Sequence, residues 1–314
     1  MSTKVLKYIP ENTAVWNAFI RQSVNGTFLF DRHFMDYHSD RFQDHSLMVY
    51  ENDLLIGVVP AHQKDNCFYS HRGLTYGVPV FREHYIEQVI DAVLDYLNDS
   101  AFAKAEFNLS PQFYHPVHLQ IRDRLKASGF TTQRVLSNMF VDLKEDLNIS
   151  PKKTVGYRNG KFDGFEIEKA HDFKSFWEQV LVPSLKARHD SKPVHSLREI
   201  ELLGSRFPAE IIQHNLYRDD QLLAGITFFI KGKVIKSQYA ASSTAGMKND
   251  AVGFLYMEAM KEYKKTNFDY MDLGPVNESD GTINKGLLRF KKQLGSEVTE
   301  VNRYEKIYKR KNHQ

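Results

Sequence analysis

Three stretches of the sequence gather residue types that do chemistry. Ser242-Ser243-Thr244-Ala245-Gly246-Met247-Lys248-Asn249-Asp250 is a run of small residues with one cation, followed by a helix-like segment. Small side chains let a ligand approach the backbone, and a helix N-terminus offers free N–H groups and a positive dipole end to a phosphate. The plainer reading is a loop with Asn249 or Asp250 capping a helix. Tyr270-Met271-Asp272-Leu273-Gly274-Pro275 ends a short apolar run in an acid. Strand ends are where α/β sheets hold ligands, so Asp272 is placed to act as a general base or to orient an amine. It is equally placed to cap the turn before Gly274. His71, Arg72 and Tyr76 stand in a loop with Gly73 and Gly77. An arginine there binds phosphate or carboxylate bidentately, or else makes a structural ion pair.

Other chemistries find little support. Cys67 is the only cysteine, which excludes a disulfide framework and a thiolate metal site. It stands beside Phe68 and Tyr69, as a buried inert thiol would. The thirteen histidines are irregularly spaced and HExxH is absent, so no metal is expected. No Ser-His or Cys-His nucleophile pattern emerges. With 42 basic and 39 acidic residues the net charge of +3 does not argue for nucleic acid, and no DNA is expected. No apolar run spans a membrane and no secretory signal opens the chain, so a cytosolic protein is expected. The terminal Lys309-Arg310-Lys311-Asn312-His313-Gln314 reads as a solvated tail.

The elements that must carry these residues occur twice. Leu47–Gly57 and Asn215–Gly225 each read as strand, polar turn, strand. A third strand follows, Phe68 to Arg72 and Val234 to Ala240. Each copy then has a glycine-bearing loop and a helix, near Glu83 to Asn98 and Ala251 to Lys264, with apolar spacing of three and four. A short strand ends at Ser110-Pro111 or at Gly274-Pro275. A second helix stops at Gly129 or Gly295, and a last strand runs Thr131 to Leu143 or Val298 to Ile307. Tyr50 pairs with Tyr217, Pro111 with Pro275 and Gly129 with Gly295, offsets of 167, 164 and 166. An ordered series of near-constant offsets marks a duplication. The expected fold class is α+β (α/β), as two tandem domains, 1–150 and 151–314. A glycine- and lysine-containing stretch, Glu145 to Gly164, forms the boundary, and an amphipathic helix, Phe173 to Ala187, opens the second copy.

Asn284-Lys285-Gly286-Leu287-Leu288-Arg289-Phe290-Lys291-Lys292-Gln293-Leu294-Gly295 resembles a C-terminal signature of the FemAB-like acyltransferases, Asn-x-Gly-Leu-x-x-Phe-Lys followed by Phe/Leu-Gly. Ser237-Gln238-Tyr239-Ala240-Ala241-Ser242 is similar to that family's third strand. Tyr270–Gly274 is similar to its Asp-x-Gly strand end, and Ser70–Gly77 to its first-unit substrate loop. The resemblance spans roughly residues 11 to 308 and implies two tandem GNAT-like (acyl-CoA N-acyltransferase) domains, mixed sheets flanked by helices. It implies an N-acyltransferase, an acetyltransferase foremost, that moves an acyl group from acetyl-CoA or another acyl-CoA to an amine. The acceptor would be an amino sugar, a cell-envelope precursor or a small molecule. It also implies a bacterial-type protein, monomeric or homodimeric, with the cleft between or beside the two domains.

The same resemblance assigns roles. Lys291 would face the cleft and stabilise an oxyanion or a phosphate, with Asp272 and Tyr239 beside it as catalytic residues. Ser243, Gly246, Lys248, Asn249 and Asn284 would hold the cofactor. His71, Arg72, Tyr76, Arg188 and Gln238 would hold the substrate. Strand alternation sends only one of Gln238 and Tyr239 toward the cleft. Helix faces of Arg289, Lys291 and Lys292 differ, so only one face meets it. Two departures keep alternatives open. The usual Gln/Arg-x-x-Gly-x-Gly/Ala loop is not intact around Gly246, which leaves an aminoacyl-tRNA donor or a catalytically silent binding protein as alternatives. Ser184 to Phe207 is too short for the helical arm common among members that use aminoacyl-tRNA.

Overall fold

The computed structural model describes residues 3–308, without the side chains of Arg188 and His189. The expected basic tail from Lys309 onward, and the side chain of Arg188, lie outside the described residues. The fold has two compact units. One comprises residues up to 136 together with those from 300 onward, and the other residues 137–299.

In the first unit, Thr3–Lys7, Leu47–Glu51, Leu54–Val59 and Val80–Phe81 form one antiparallel sheet in that order. Asn52 turns the central hairpin at φ 52°, a conformation asparagine tolerates well. Pro60 follows Val59 and has no N–H for a continued ladder. The chain re-enters as His62–Lys64 and pairs with Cys67–Tyr69, so the third strand leaves the first sheet. That strand is shorter than expected because His71 takes a left-handed φ of 49°. Cys67–Tyr69 pairs in parallel with Lys104–Asn108, which pairs antiparallel with residues 303–307. Helix Ile86–Asp99 buries Val89, Ile90, Val93, Leu94 and Leu97, the stripe its spacing requires. It packs so near the sheet that a Cβ on Gly57 would come within 2.5 Å of Val89.

In the second unit, Glu166–Ala170, Ile211–Arg218, Gln221–Lys231 and Val234–Ser242 are consecutive antiparallel neighbours. Asp219 and Asp220, at φ 50° and 59°, make the two-residue turn whose twist suits a hairpin. Tyr270–Pro275 adds in parallel, and residues 138–142 pair antiparallel with it. The expected amphipathic helix is Phe173–Phe176, a π turn Trp177–Leu181 and Val182–His189 in succession. Helix Ala251–Tyr263 lies in the apolar core with Leu255, Met257 and Met260 fully buried. Gly295 ends helix Lys285–Gln293 at φ 83°, as Gly129 at φ 85° ends helix Val117–Ala127.

The closing strands follow a different course from a plain repeat. Thr131–Asp142 starts in the first unit and finishes in the second, where Asp142 faces Tyr270 and Phe140 faces Asp272. Glu297–Ile307 leaves the second unit and finishes in the first, with Arg303 facing Asn108. Residues 145–164 belong to the second unit, and Pro151–Arg158 within them is helical.

Candidate active site

Two adjacent strands of the second unit part company. Val234–Ser242 and Tyr270–Pro275 are in parallel register only at Val234 with Tyr270, Ile235 with Met271 and Lys236 with Asp272. Past that point no ladder joins them. On its other edge Val234–Ser242 pairs with Gln221–Lys231, with Thr227 opposite Tyr239 and Phe228 opposite Ser237. Gln238 is therefore the extra residue of a β-bulge, a device that re-aims side chains beside sites. The parting opens a cavity of about 680 Å³ lined by Ser237, Gln238, Tyr256, Leu273, Phe290 and Lys291, among others.

A buried charge cluster reaches it through Lys291. Asp272 is 1% exposed, and its carboxylate accepts from Asn138 Nδ2 at 2.8 Å, Gly274 N at 2.7 Å and Lys236 Nζ at 3.1 Å. Lys291 is the one buried residue of helix Lys285–Gln293. Its ammonium donates to Gly274 O at 3.0 Å and Pro275 O at 2.9 Å. An ammonium has three N–H bonds, so one remains for a ligand. Gly274 adopts φ 79°, and a Cβ there would lie 3.6 Å from Lys236 Nζ and 3.9 Å from Lys291 Nζ. Burial, and then the like charge of Lys236, pull the Lys291 ammonium down to about 7, while Asp272 works the other way. Lys231 is also buried, and burial holds its pKa well below the usual lysine range. Tyr256 donates to Ser237 Oγ at 2.9 Å, and burial raises its phenol to about 12. Lys236 and Tyr256 did not stand out in the sequence. The signal was there for Lys236, a lone cation between Ile235 and Ser237 in a strand otherwise rich in apolar residues.

The loop expected to cradle phosphate is built for packing. Ser243 Oγ accepts from Gly246 N at 3.1 Å and donates to Leu223 O at 3.2 Å. A Cβ on Gly246 would sit 1.9 Å from Leu223 O, so the glycine is needed for the approach of helix Thr244–Lys248 to strand Gln221–Lys231. Lys248 is exposed, and Asn249 Nδ2 donates back to Ala245 O at 3.0 Å. Neither lines the cavity, whereas Met247 and Asp250 do. Asp250, left-handed at φ 54°, precedes helix Ala251–Tyr263 with its carboxylate over Gly253 and bonded to Lys153 Nζ at 2.6 and 2.7 Å. The helix end that would hold a phosphate already has a carboxylate beside it.

The remaining expected residues divide. Gln238 and Asn284 line the cavity, and Asn284 Oδ1 also caps its helix by accepting from Leu287 N at 2.8 Å. Tyr239 points to the opposite sheet face. Its hydroxyl meets His195 Nδ1 at 2.6 Å and its ring lies 5.1 Å from that of Trp177. In the first unit His71 is 3% exposed, stacked on His38 and edge-on to His62, with burial holding its pKa well below the usual histidine range. Tyr76 is 3% exposed and packs edge-on against Phe30 and Tyr114. Arg72 forms a bidentate pair with buried Glu106, at 3.0 and 2.6 Å, and lies over the Tyr69 ring. Among the described residues no group of three or more histidine, cysteine or acidic side chains is arranged for a metal. No helix among them is long and apolar enough to cross a membrane.

Solved structures share this architecture. FemX aligns with a TM-score of 0.66 at 14% identity, over 98% of this chain and 97% of that one. The C-terminal domain of a putative lysylphosphatidylglycerol synthetase from Agrobacterium fabrum gives 0.61 at 14% identity, over 94% and 91%. A tandem GNAT protein from the clavulanic acid biosynthesis pathway gives 0.51 at 9% identity, over 98% and 100%. No protein-family model and no curated protein matches the chain. At these identities the likeness is one of fold. The chain has the two-domain GNAT-like fold of these structures, with mixed sheets flanked by helices.

Proposed function

We propose that this protein is an N-acyltransferase whose second unit holds the activated acyl donor where Val234–Ser242 and Tyr270–Pro275 diverge. The observation that carries the reading is Lys291. A buried ammonium, fixed by two carbonyls and with one N–H to spare, lines an open cavity. It is a preorganised donor for charge that develops on a carbonyl oxygen, and such donors supply much of the rate acceleration in many acyl transfers. The acceptor amine, as its free base, attacks the donor carbonyl carbon. A C–N bond forms, the carbonyl electron pair moves to oxygen beside Lys291, and collapse expels the leaving group with its electrons. The amine's proton passes to solvent. No enzyme nucleophile is required. Asp272, 1% exposed and already holding three donors, acts as counterion to Lys236 and Lys291 instead of taking the proton.

Acyl-CoA is the donor this reading puts first, and a small or envelope-precursor amine the acceptor. A second reading, an aminoacyl ester donor on tRNA, draws support from Asp250, whose carboxylate occupies the helix end where a diphosphate would otherwise lie. The test incubates the protein with acetyl-CoA, longer acyl-CoAs and charged tRNA, each with a panel of amines, and reads N-acyl products by mass spectrometry. Lys291→Met is expected to lower kcat about 100- to 1,000-fold with the fold intact. Absence of transfer from all donors, or an unchanged kcat in the variant, sinks the proposal. Acyl label trapped on the protein during turnover would refute direct attack.

A further inference from the structure

Helix Lys285–Gln293 has two working faces. One presents Gly286, Leu287, Phe290 and Lys291 to the cavity. The adjacent face borders a separate groove of about 370 Å³, lined by Ser150, Lys285, Leu288, Arg289, Lys292 and Gln293. Lys285, Arg289 and Lys292 recur at i, i+4 and i+7, so they form one row. All three are exposed, and none has an ion pair or hydrogen-bonded side-chain partner among the described residues. No carboxylate among the described residues lines the groove. Ser150 closes one end as N-cap of helix Pro151–Arg158, bringing that helix's electropositive end to the same place.

Helix stability does not account for the row. Cations in the last turn complement the dipole, which suits Lys292, but Lys285 is the first helical residue, where a positive charge is unfavourable. An uncompensated row of cations matches a ligand with several phosphates. The N-terminus of helix Ala251–Tyr263, the other helix end near the cavity, has the Asp250 carboxylate beside it. A helix with side chains is roughly 10 Å across, so two faces of one helix lie at most about that far apart. A pantetheine arm is long enough to cover that distance.

Resting on the acyl-transfer reading, we infer that the groove of Lys285, Arg289 and Lys292 binds the phosphates of the donor's carrier, the diphosphate and 3′-phosphate of coenzyme A. The experiment measures binding at equilibrium, without turnover. Coenzyme A, phosphate-free pantetheine and a short oligoribonucleotide are titrated into the full chain and into the triple variant K285Q/R289Q/K292Q. The triple variant is expected to bind coenzyme A about 10- to 100-fold more weakly, from three screened contacts. Pantetheine is expected to bind both proteins alike, and the salt dependence of coenzyme A binding should flatten in the variant. Unchanged thermal unfolding shows that the helix survives. Wild-type affinity of the variant for coenzyme A overturns the inference, and so does loss of binding in Lys248→Gln but not in the triple variant. A selective loss of oligoribonucleotide binding would assign the groove to RNA and overturn the coenzyme A assignment. If the triple variant loses coenzyme A while no donor is ever turned over, the acyl-transfer reading fails and the groove stands.

Discussion

Replacing Asp272 by asparagine should move the titration of a different residue. Among the described residues Asp272 is the one carboxylate whose charge is felt at Lys291, and it opposes both burial and Lys236. Asparagine keeps an oxygen for Asn138 Nδ2 and Gly274 N but removes the charge. Lys291, already drawn down to about 7, should then fall by about one unit or more. At pH 7 a shift of about one unit takes the ammonium from about half to about a tenth, so a rate that needs it falls about fivefold. That loss should be recovered on acidification. Stability should also drop, by about 3 kcal/mol, because Lys236 is left buried without its partner. The assay is a ¹³C-lysine NMR titration of Lys291, which requires no substrate, together with urea unfolding. Lys236→Met should shift Lys291 the opposite way, to higher pH, because it removes the neighbouring like charge. This second variant stays informative if Asp272→Asn fails to fold. A Lys291 titration unmoved in both variants would refute the electrostatic account. A rate loss in Asp272→Asn that is the same at every pH would point instead to a general base.

Other outcomes follow from the same geometry. Lys291 titrates near 7 when folded and near 10.5 when free, so the unfolded chain binds the extra proton between those values. Stability measured by urea unfolding should therefore rise as pH increases from about 7 toward 10. Gly246→Ala places a Cβ 1.9 Å from Leu223 O and should cost about 2 kcal/mol or more in unfolding free energy, since backbone must shift. A donor affinity that falls while stability holds would contradict the packing role. Arg72→Met leaves Glu106, 2% exposed, without its bidentate partner; allowing for the exposure of Arg72, the loss should be about 2 kcal/mol. Thermal unfolding equal to wild type would show that Arg72 is not structural.

Much of the fold was legible because it is written in local signals. Gly129 and Gly295 stop helices at positive φ, and the paired hairpins stand at a constant offset. The inward face of helix Lys285–Gln293 was also within reach, since Phe290 and Lys291 belong to a recurring motif. Non-local features were not. Local propensity cannot say which unit a strand completes, so the partners of Thr131–Asp142 and Glu297–Ile307 emerged only from the register. The Lys236–Asp272 pair joins residues 36 positions apart, and Asn138 enters from 134 positions away. Glycine chemistry misled around Gly246, because a residue needed for close packing and one needed for ligand approach look alike in sequence. Arg72 stood in the same ambiguity, and only its partner Glu106 separates ion pair from ligand contact.

The exchange of closing strands bears on how the chain is made. Everything the second unit needs lies in one continuous stretch, 137–299, so that unit is complete once its own residues have emerged from the ribosome. The first unit is not. Its strand Lys104–Asn108 keeps an unsatisfied edge until residues 303–307 have been synthesised. At about 5–20 residues per second that edge waits on the order of ten seconds or more. Vectorial synthesis thus finishes the N-terminal unit after the unit that follows it, and a nascent chain stalled shortly before residue 300 would carry an open sheet edge, the species most prone to wrong pairing.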